Sequence, residues 1–146
     1  ELFDVVYSMG FVEHYPDIEL TTRKHLGCLK KGGILIIGMP VFLGINWWLA
    51  RYLSPDNFAS YYTHIMNDTL WLKLPRELGI VLEYSGYVGG LNPHVHHRLE
   101  RPTLMKKILY VAFHKAAKIW DRVPFTVHLN SKYLSYYYFV VFRKTI

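Results

Sequence analysis

The stretch from Phe3 to Met39 constrains the fold more than any other part of the chain. It opens with the apolar run Phe3-Asp4-Val5-Val6-Tyr7-Ser8 and closes with Ile34-Leu35-Ile36-Ile37-Gly38-Met39. Between them lies one amphipathic segment ending in Leu29-Lys30-Lys31-Gly32-Gly33. Apolar runs of this length, separated by a helix-length segment and a glycine stop, predict strand, helix, strand, with the strands parallel and buried on both faces. The chemistry of such a βαβ unit is expected at the carboxyl end of its first strand, because ligands of open α/β sheets sit in the crevice beyond the strand ends. Here that end is Ser8 to Tyr15. Gly10 permits a tight turn or close backbone approach, Ser8 offers a small hydroxyl, and Glu13-His14 sets an acid beside an imidazole at the helix entry.

Asp17 can cap a helix running to about Lys30, with Ile18, Thr22, His25, Leu26 and Leu29 on one face and Gly32 as the stop. After Pro40 the chain becomes unusually aromatic, with Phe42, Trp47, Trp48, Phe58, Tyr61 and Tyr62. Residues 40–66 are therefore expected to form a lid or substrate-covering insertion; the alternative is ordinary packing of a short helix, Ile45 to Leu53, onto the sheet. Asn67-Asp68 opens a further helix in which Pro75 predicts a kink or an early end, and Gly79 precedes a third strand, Ile80 to Val88. Residues 91–132 hold a basic loop and a helix from Pro102 to about Trp120. Its Met105, Ile108, Leu109, Ala112, Ala116 and Ile119 are expected to face the core, with Lys106, Lys107, His114, Lys115 and Lys118 in solvent; a helix lying on an anionic membrane is the alternative. Tyr133 to Arg143 supplies the last strand.

The 146 residues allow one domain, and apolar and aromatic shares of 51% and 16% argue against disorder. The net charge of +6 is scattered, without the clustered basic and aromatic stripe that nucleic-acid binding uses. Cys28 is the only cysteine, which excludes an internal disulfide and suits a reducing, cytoplasmic setting. The apolar stretch Ile34 to Ala50 is broken by Gly38, Pro40, Gly44 and Asn46, short of the ~20 clean residues of a membrane span. His94-Val95-His96-His97 lacks the supporting carboxylate or thiolate of a metal site and is expected to be a solvated loop.

Taken together, FDVVYSMGFVEHY, the following helix and LKKGGILIIGMP resemble the second half of a class I S-adenosylmethionine-dependent methyltransferase, clearly over Phe3 to Gly90 and loosely beyond. The resemblance implies an α/β fold with an incomplete Rossmann-like sheet. Its strands would be equivalent to 4, 5, 6 and 7 of the order 3-2-1-4-5-7-6, the last antiparallel, with helices flanking the sheet. The Gly-rich loop and following acidic residue that hold the cofactor in this family are missing from the sequence, so residues 1–146 are expected to be a single partial domain lacking its amino-terminal half.

By the same resemblance, the cofactor is S-adenosylmethionine and the reaction is methyl transfer to a small organic acceptor. Ser8, Met9, Gly10, Phe11 and His14 would lie along the cofactor, and Phe42, Asn46, Trp47, Trp48, Tyr61 and Tyr62 along the substrate. His14 and His64 are the candidate catalytic bases, since imidazole titrates near neutrality. Relatives that hold a divalent metal carry Glu-x-x-Glu-His at this point, and Gly10 stands where the first Glu would be, so no metal is expected. Two other classes stay open: a non-catalytic methyltransferase-like half that pairs with another polypeptide, and a basic membrane-surface module using Trp47-Trp48 and the Pro102 to Trp120 helix.

Overall fold

The computed structural model describes residues 2–90, 99–120, 122–123 and 129–145. The His94 to His97 run lies outside them. Four strands, Phe3–Met9 (β1), Leu29–Pro40 (β2), Ile80–Val88 (β3) and Tyr137–Lys144 (β4), form one sheet in the order β1-β2-β4-β3. β1 and β2 are parallel, with Val5 opposite Ile34 and Met9 opposite Gly38. The end of β4 meets the start of β2: Arg143 Nη1 donates to Gly32 O at 3.0 Å and Lys144 Nζ to Leu29 O at 2.8 Å. Beyond the other end of β2, Val41 N donates to Tyr136 O at 2.8 Å. β4 therefore runs antiparallel to β2, inserted between β2 and β3, as the sequence led us to expect.

Helix α1, Ile18–Gly27, starts where Asp17 accepts a hydrogen bond from Leu20 N at 2.9 Å. It buries Thr21, Thr22 and Leu26. It also ends earlier than the sequence suggests, because β2 already begins at Leu29. From the pair Phe3/Leu29 to the pair Val5/Ile34, β1 advances two residues and β2 five, so the Lys-Lys-Gly-Gly segment bulges from the ladder instead of stopping a helix. Gly32, at φ 79°, supplies the left-handed backbone that the bulge requires.

A second correction concerns β1, which was expected to be buried on both faces. Phe3, Val5, Tyr7 and Met9 are exposed, Tyr7 by 73%, while Ser8 on the opposite face is buried. β1 is the edge of the sheet, and among the described residues nothing covers its outward side chains.

The chain divides into two compact units. The first, Glu1–Met39 with Tyr62–Gly86 and Tyr138–Ile146, carries most of the sheet, α1, and the helices α4 (Asp68–Trp71) and α5 (Leu74–Leu78). Leu35, Ile37, Ile65, Met66, Trp71, Val140 and Phe142 are fully buried in it. Trp71 Nε1 donates to Ile65 O at 2.6 Å, so the indole fills the core without an orphaned donor. Pro75 at the start of α5 divides the helix anticipated here, and Gly79, at φ 61°, ends it.

The second unit, Pro40–Tyr61 with Tyr87–Tyr137, contains α2 (Ile45–Leu53), α3 (Pro55–Phe58) and α6 (Leu104–Trp120). Leu49 and Leu53 of α2 pack on Phe113 of α6, with Leu99 and Tyr110 around them. Here the expected orientation of α6 is overturned. Phe113 and Ala117 are its buried residues, while Met105, Ile108, Leu109 and Ile119 are exposed. One large aromatic side chain at position 113 fixes which face meets α2, outweighing the longer aliphatic stripe. None of the described helices is long and apolar enough to cross a membrane.

Candidate functional site at the carboxyl end of β1

Beyond the last ladder pair, Gly10 N donates to Gly38 O at 2.9 Å, which staples the end of β1 to β2 before the chain turns away. Gly10 makes that turn at φ 63°. Ser8 is buried, Met9 and Phe11 are exposed on either side of the glycine, and Phe11 rests against Tyr15 with ring centroids 4.8 Å apart. Phe11 also meets the His25 ring at 6.1 Å. An open, largely apolar cleft of about 460 Å³ runs from there along α1, lined by Phe11, Tyr15, Leu20, Thr21, His25 and Cys28.

Val12–His14 forms a short 3₁₀ turn, and Tyr62 N donates to Glu13 O at 2.9 Å, so the segment around residue 62 closes over the turn. Glu13 is only 1% exposed, and among the described residues its Oε2 has no hydrogen-bond partner. Burial pushes its carboxyl above the ordinary carboxylic range, opposed in part by its own backbone N–H and by nearby His14. His14 is exposed. His64, on the Thr63–Met66 turn, donates Nε2–H to Pro16 O at 3.0 Å, which leaves Nδ1 as the proton-accepting atom of the neutral ring.

The structure thus brings Ser8, Met9, Gly10, Phe11, His14, Tyr62 and His64 into the first unit. Phe42, Asn46, Trp47, Trp48 and Tyr61 belong to the second. Phe42 is buried against Tyr61 and Phe58, at centroid distances of 4.7 and 5.9 Å. Asn46 is fully buried and donates to Ser135 O at 3.0 Å, so its amide ties α2 to the segment before β4. Trp47 lies edge-on to Trp48 at 4.8 Å and takes the Arg51 guanidinium on its face at 5.1 Å, while Trp48 is 69% exposed. The residue that sequence reasoning left out of the site is Glu13. Its only signal was an acid flanked by Val12 and His14 at a strand end, and its backbone carbonyl accepts from the distant Tyr62 N.

No protein-family model matches the chain, and no curated protein matches it. Solved structures do. Phosphoethanolamine N-methyltransferase 2 of Haemonchus contortus, in complex with S-adenosyl-L-methionine, is 16% identical, with a TM-score of 0.53 over 99% of this chain and 34% of that one. A SAM-dependent methyltransferase of Archaeoglobus fulgidus is 14% identical, with a TM-score of 0.52 over 98% of this chain and 60% of that one. A Bacillus halodurans protein assigned as a methyltransferase is 17% identical, with a TM-score of 0.56 over 100% of this chain and 66% of that one. The chain therefore spans from a third to just under two thirds of these longer proteins. With its strand order and its reversed last strand, it has part of the class I S-adenosylmethionine-dependent methyltransferase fold.

Proposed function

We propose that the chain is the part of an S-adenosylmethionine-dependent methyltransferase that carries the methionine end of the cofactor site and methylates a small organic acceptor. The observation that carries this reading is the end of β1. Gly10, left-handed and stapled to Gly38, bares backbone between exposed Met9 and Phe11, directly above buried Ser8. Those features suit the flank of an extended, partly apolar ligand. Bound there, the cofactor supplies an electrophilic methyl on a sulfonium. The protein then has to place the acceptor and receive its proton. His14 and His64 are the groups assigned to that proton, His64 through Nδ1. The Haemonchus contortus neighbour, by name a phosphoethanolamine N-methyltransferase, is one instance of a small acceptor on this fold. The free thiol of Cys28 supports a cytoplasmic setting.

Calorimetric titration of S-adenosylhomocysteine into the 146-residue chain and into the full-length protein tests the proposal. Binding to the full-length protein, lost or weakened in the chain alone, is the expected result. Absence of binding to both would remove the methyltransferase reading. The exposed face of β1 favours a second reading, in which this half pairs with another polypeptide through its sheet edge. A full-length protein that is a stable monomer at high concentration argues against it.

A further inference from the structure

Helix α6 turns its most hydrophobic stripe away from the rest of its unit. Leu104, Ile108, Val111 and Ile119 recur at helical spacing on the side opposite Phe113 and Ala117. They are exposed by 76%, 56%, 50% and 64%, and Met105 beside them by 64%. A contiguous patch of this kind differs from the scattered single hydrophobics that monomeric proteins tolerate. The charges around it have one sign. Lys107 and Lys118 border the stripe, Lys115 stands within it, and the sequence Leu104–Trp120 contains no Asp or Glu. Two acids on the amino-terminal side are engaged elsewhere: Glu100 accepts from the backbone N–H groups of Asp56 and Asn57 at 2.7 and 3.0 Å, and Asp56 pairs with Arg101 at 3.2 Å, while in sequence a single acid, Asp121, directly follows Trp120.

We infer that the outward face of α6 docks on an anionic lipid surface. A bilayer interface accommodates both halves of the pattern: aliphatic side chains enter the acyl boundary while lysine stems lie along it and carry their ammonium groups to lipid phosphates. A second copy of the chain, seated on the same face, would bring lysines against lysines. A spanning role is not needed, since α6 would lie in the plane of the interface, about 25 Å long. This inference is independent of the methyltransferase reading.

Co-sedimentation of the full-length protein with vesicles of phosphatidylcholine plus phosphatidylserine, and of phosphatidylcholine alone, is the test. Strong partition onto the anionic vesicles at low salt, reduced at high salt, is expected. Ile108→Glu with Ile119→Glu should lower that partition at least about tenfold. Lys107→Gln, Lys115→Gln and Lys118→Gln together should lower it on the order of 100-fold on anionic vesicles and little on neutral ones. Thermal unfolding checks that both variants fold; should the glutamate pair not fold, the lysine variant decides alone. Failure of the wild type to sediment at low salt would overturn the inference. So would partition indifferent to these variants, or self-association in solution that the isoleucine changes abolish without any vesicle binding.

Discussion

Two glycine-to-alanine changes should move stability in opposite directions, although the chemical change is the same. Gly44 precedes α2 with φ 55° and ψ −129°, a conformation open in practice only to glycine. A Cβ there would stand 2.6 Å from Tyr133 Cα and 2.9 Å from its carbonyl carbon, and closer still to its oxygen. These are backbone atoms, held in place because Ile45 N donates to Tyr133 O at 3.2 Å, so no side chain can swing aside. Backbone strain of about 1–3 kcal/mol and overpacking of a similar size add to roughly 2–6 kcal/mol. That is a large share of the roughly 5–15 kcal/mol by which domains are ordinarily stable. Gly27, by contrast, is the last residue of α1, and a Cβ there meets nothing within 4 Å. Gly27→Ala should therefore stabilise by about 0.5–1 kcal/mol, through the smaller conformational freedom of the unfolded chain. Urea unfolding followed by circular dichroism reads both. With a slope of roughly 1–3 kcal/mol per molar, Gly44→Ala should lower the midpoint by about 1 M or more. Shifts of the same sign, or a loss at Gly44 below about 1 kcal/mol, would refute the close approach of the Tyr133 backbone.

Three further changes probe the first unit. The Glu13 carboxyl is raised in the folded state, so the native protein holds its proton more tightly than the unfolded chain does. Its contribution is then most favourable below the ordinary carboxyl range and declines as pH rises through the raised value. Glu13→Gln should remove that decline, leaving the variant more stable than wild type at neutral pH and equal to it in acid; identical pH profiles would contradict the burial. Trp71→Phe strands the buried Ile65 carbonyl and should cost on the order of 2 kcal/mol, with a loss below about 0.5 kcal/mol counting against the hydrogen bond. Gly10→Ala forces a left-handed alanine, at about 1–2 kcal/mol of stability. If the end of β1 is the cofactor site, it should also weaken S-adenosylhomocysteine binding by the full-length protein about tenfold or more, and unchanged affinity would move the site elsewhere.

Local signals carried most of the fold. Asp17, Asn67, Pro75 and Gly79 each act within a few residues, through caps and backbone geometry, and each element boundary they announce is where the chain makes it. The strand β3 and helix α2 were legible to the residue, because their flanking Gly and Ser residues break any longer pattern. What failed were statements about faces. Whether β1 is covered depends on which neighbour the sheet edge has, and the orientation of α6 depends on a single aromatic contact with Leu49 and Leu53. Periodicity identifies an apolar stripe, but a stripe states only a preference for leaving water. It does not say whether a core, a membrane or another chain will satisfy it. The Lys-Lys-Gly-Gly segment failed for a related reason: a left-handed glycine serves a helix stop and a strand bulge equally well, and the choice is made by the register of β1 against β2.

The same distinction bears on the proposed site. Methyl transfer from a sulfonium asks for placement more than for a reactive side chain, so such a site is built from backbone and small residues. Ser8 and Gly10 stand out in the sequence because they lie at a strand end, where ligands of open α/β sheets bind. Glu13 does not, because its character comes from burial and not from its identity. Burial raises its carboxyl, and its backbone carbonyl accepts from Tyr62 N. A residue whose character comes from tertiary burial can be found only once the fold around it is known, here a fold that brings Tyr62, 49 positions away in sequence, onto its backbone carbonyl. A titration of Glu13 therefore reports whether its side chain is buried in solution, and a carboxyl that titrates in the ordinary range would contradict that burial.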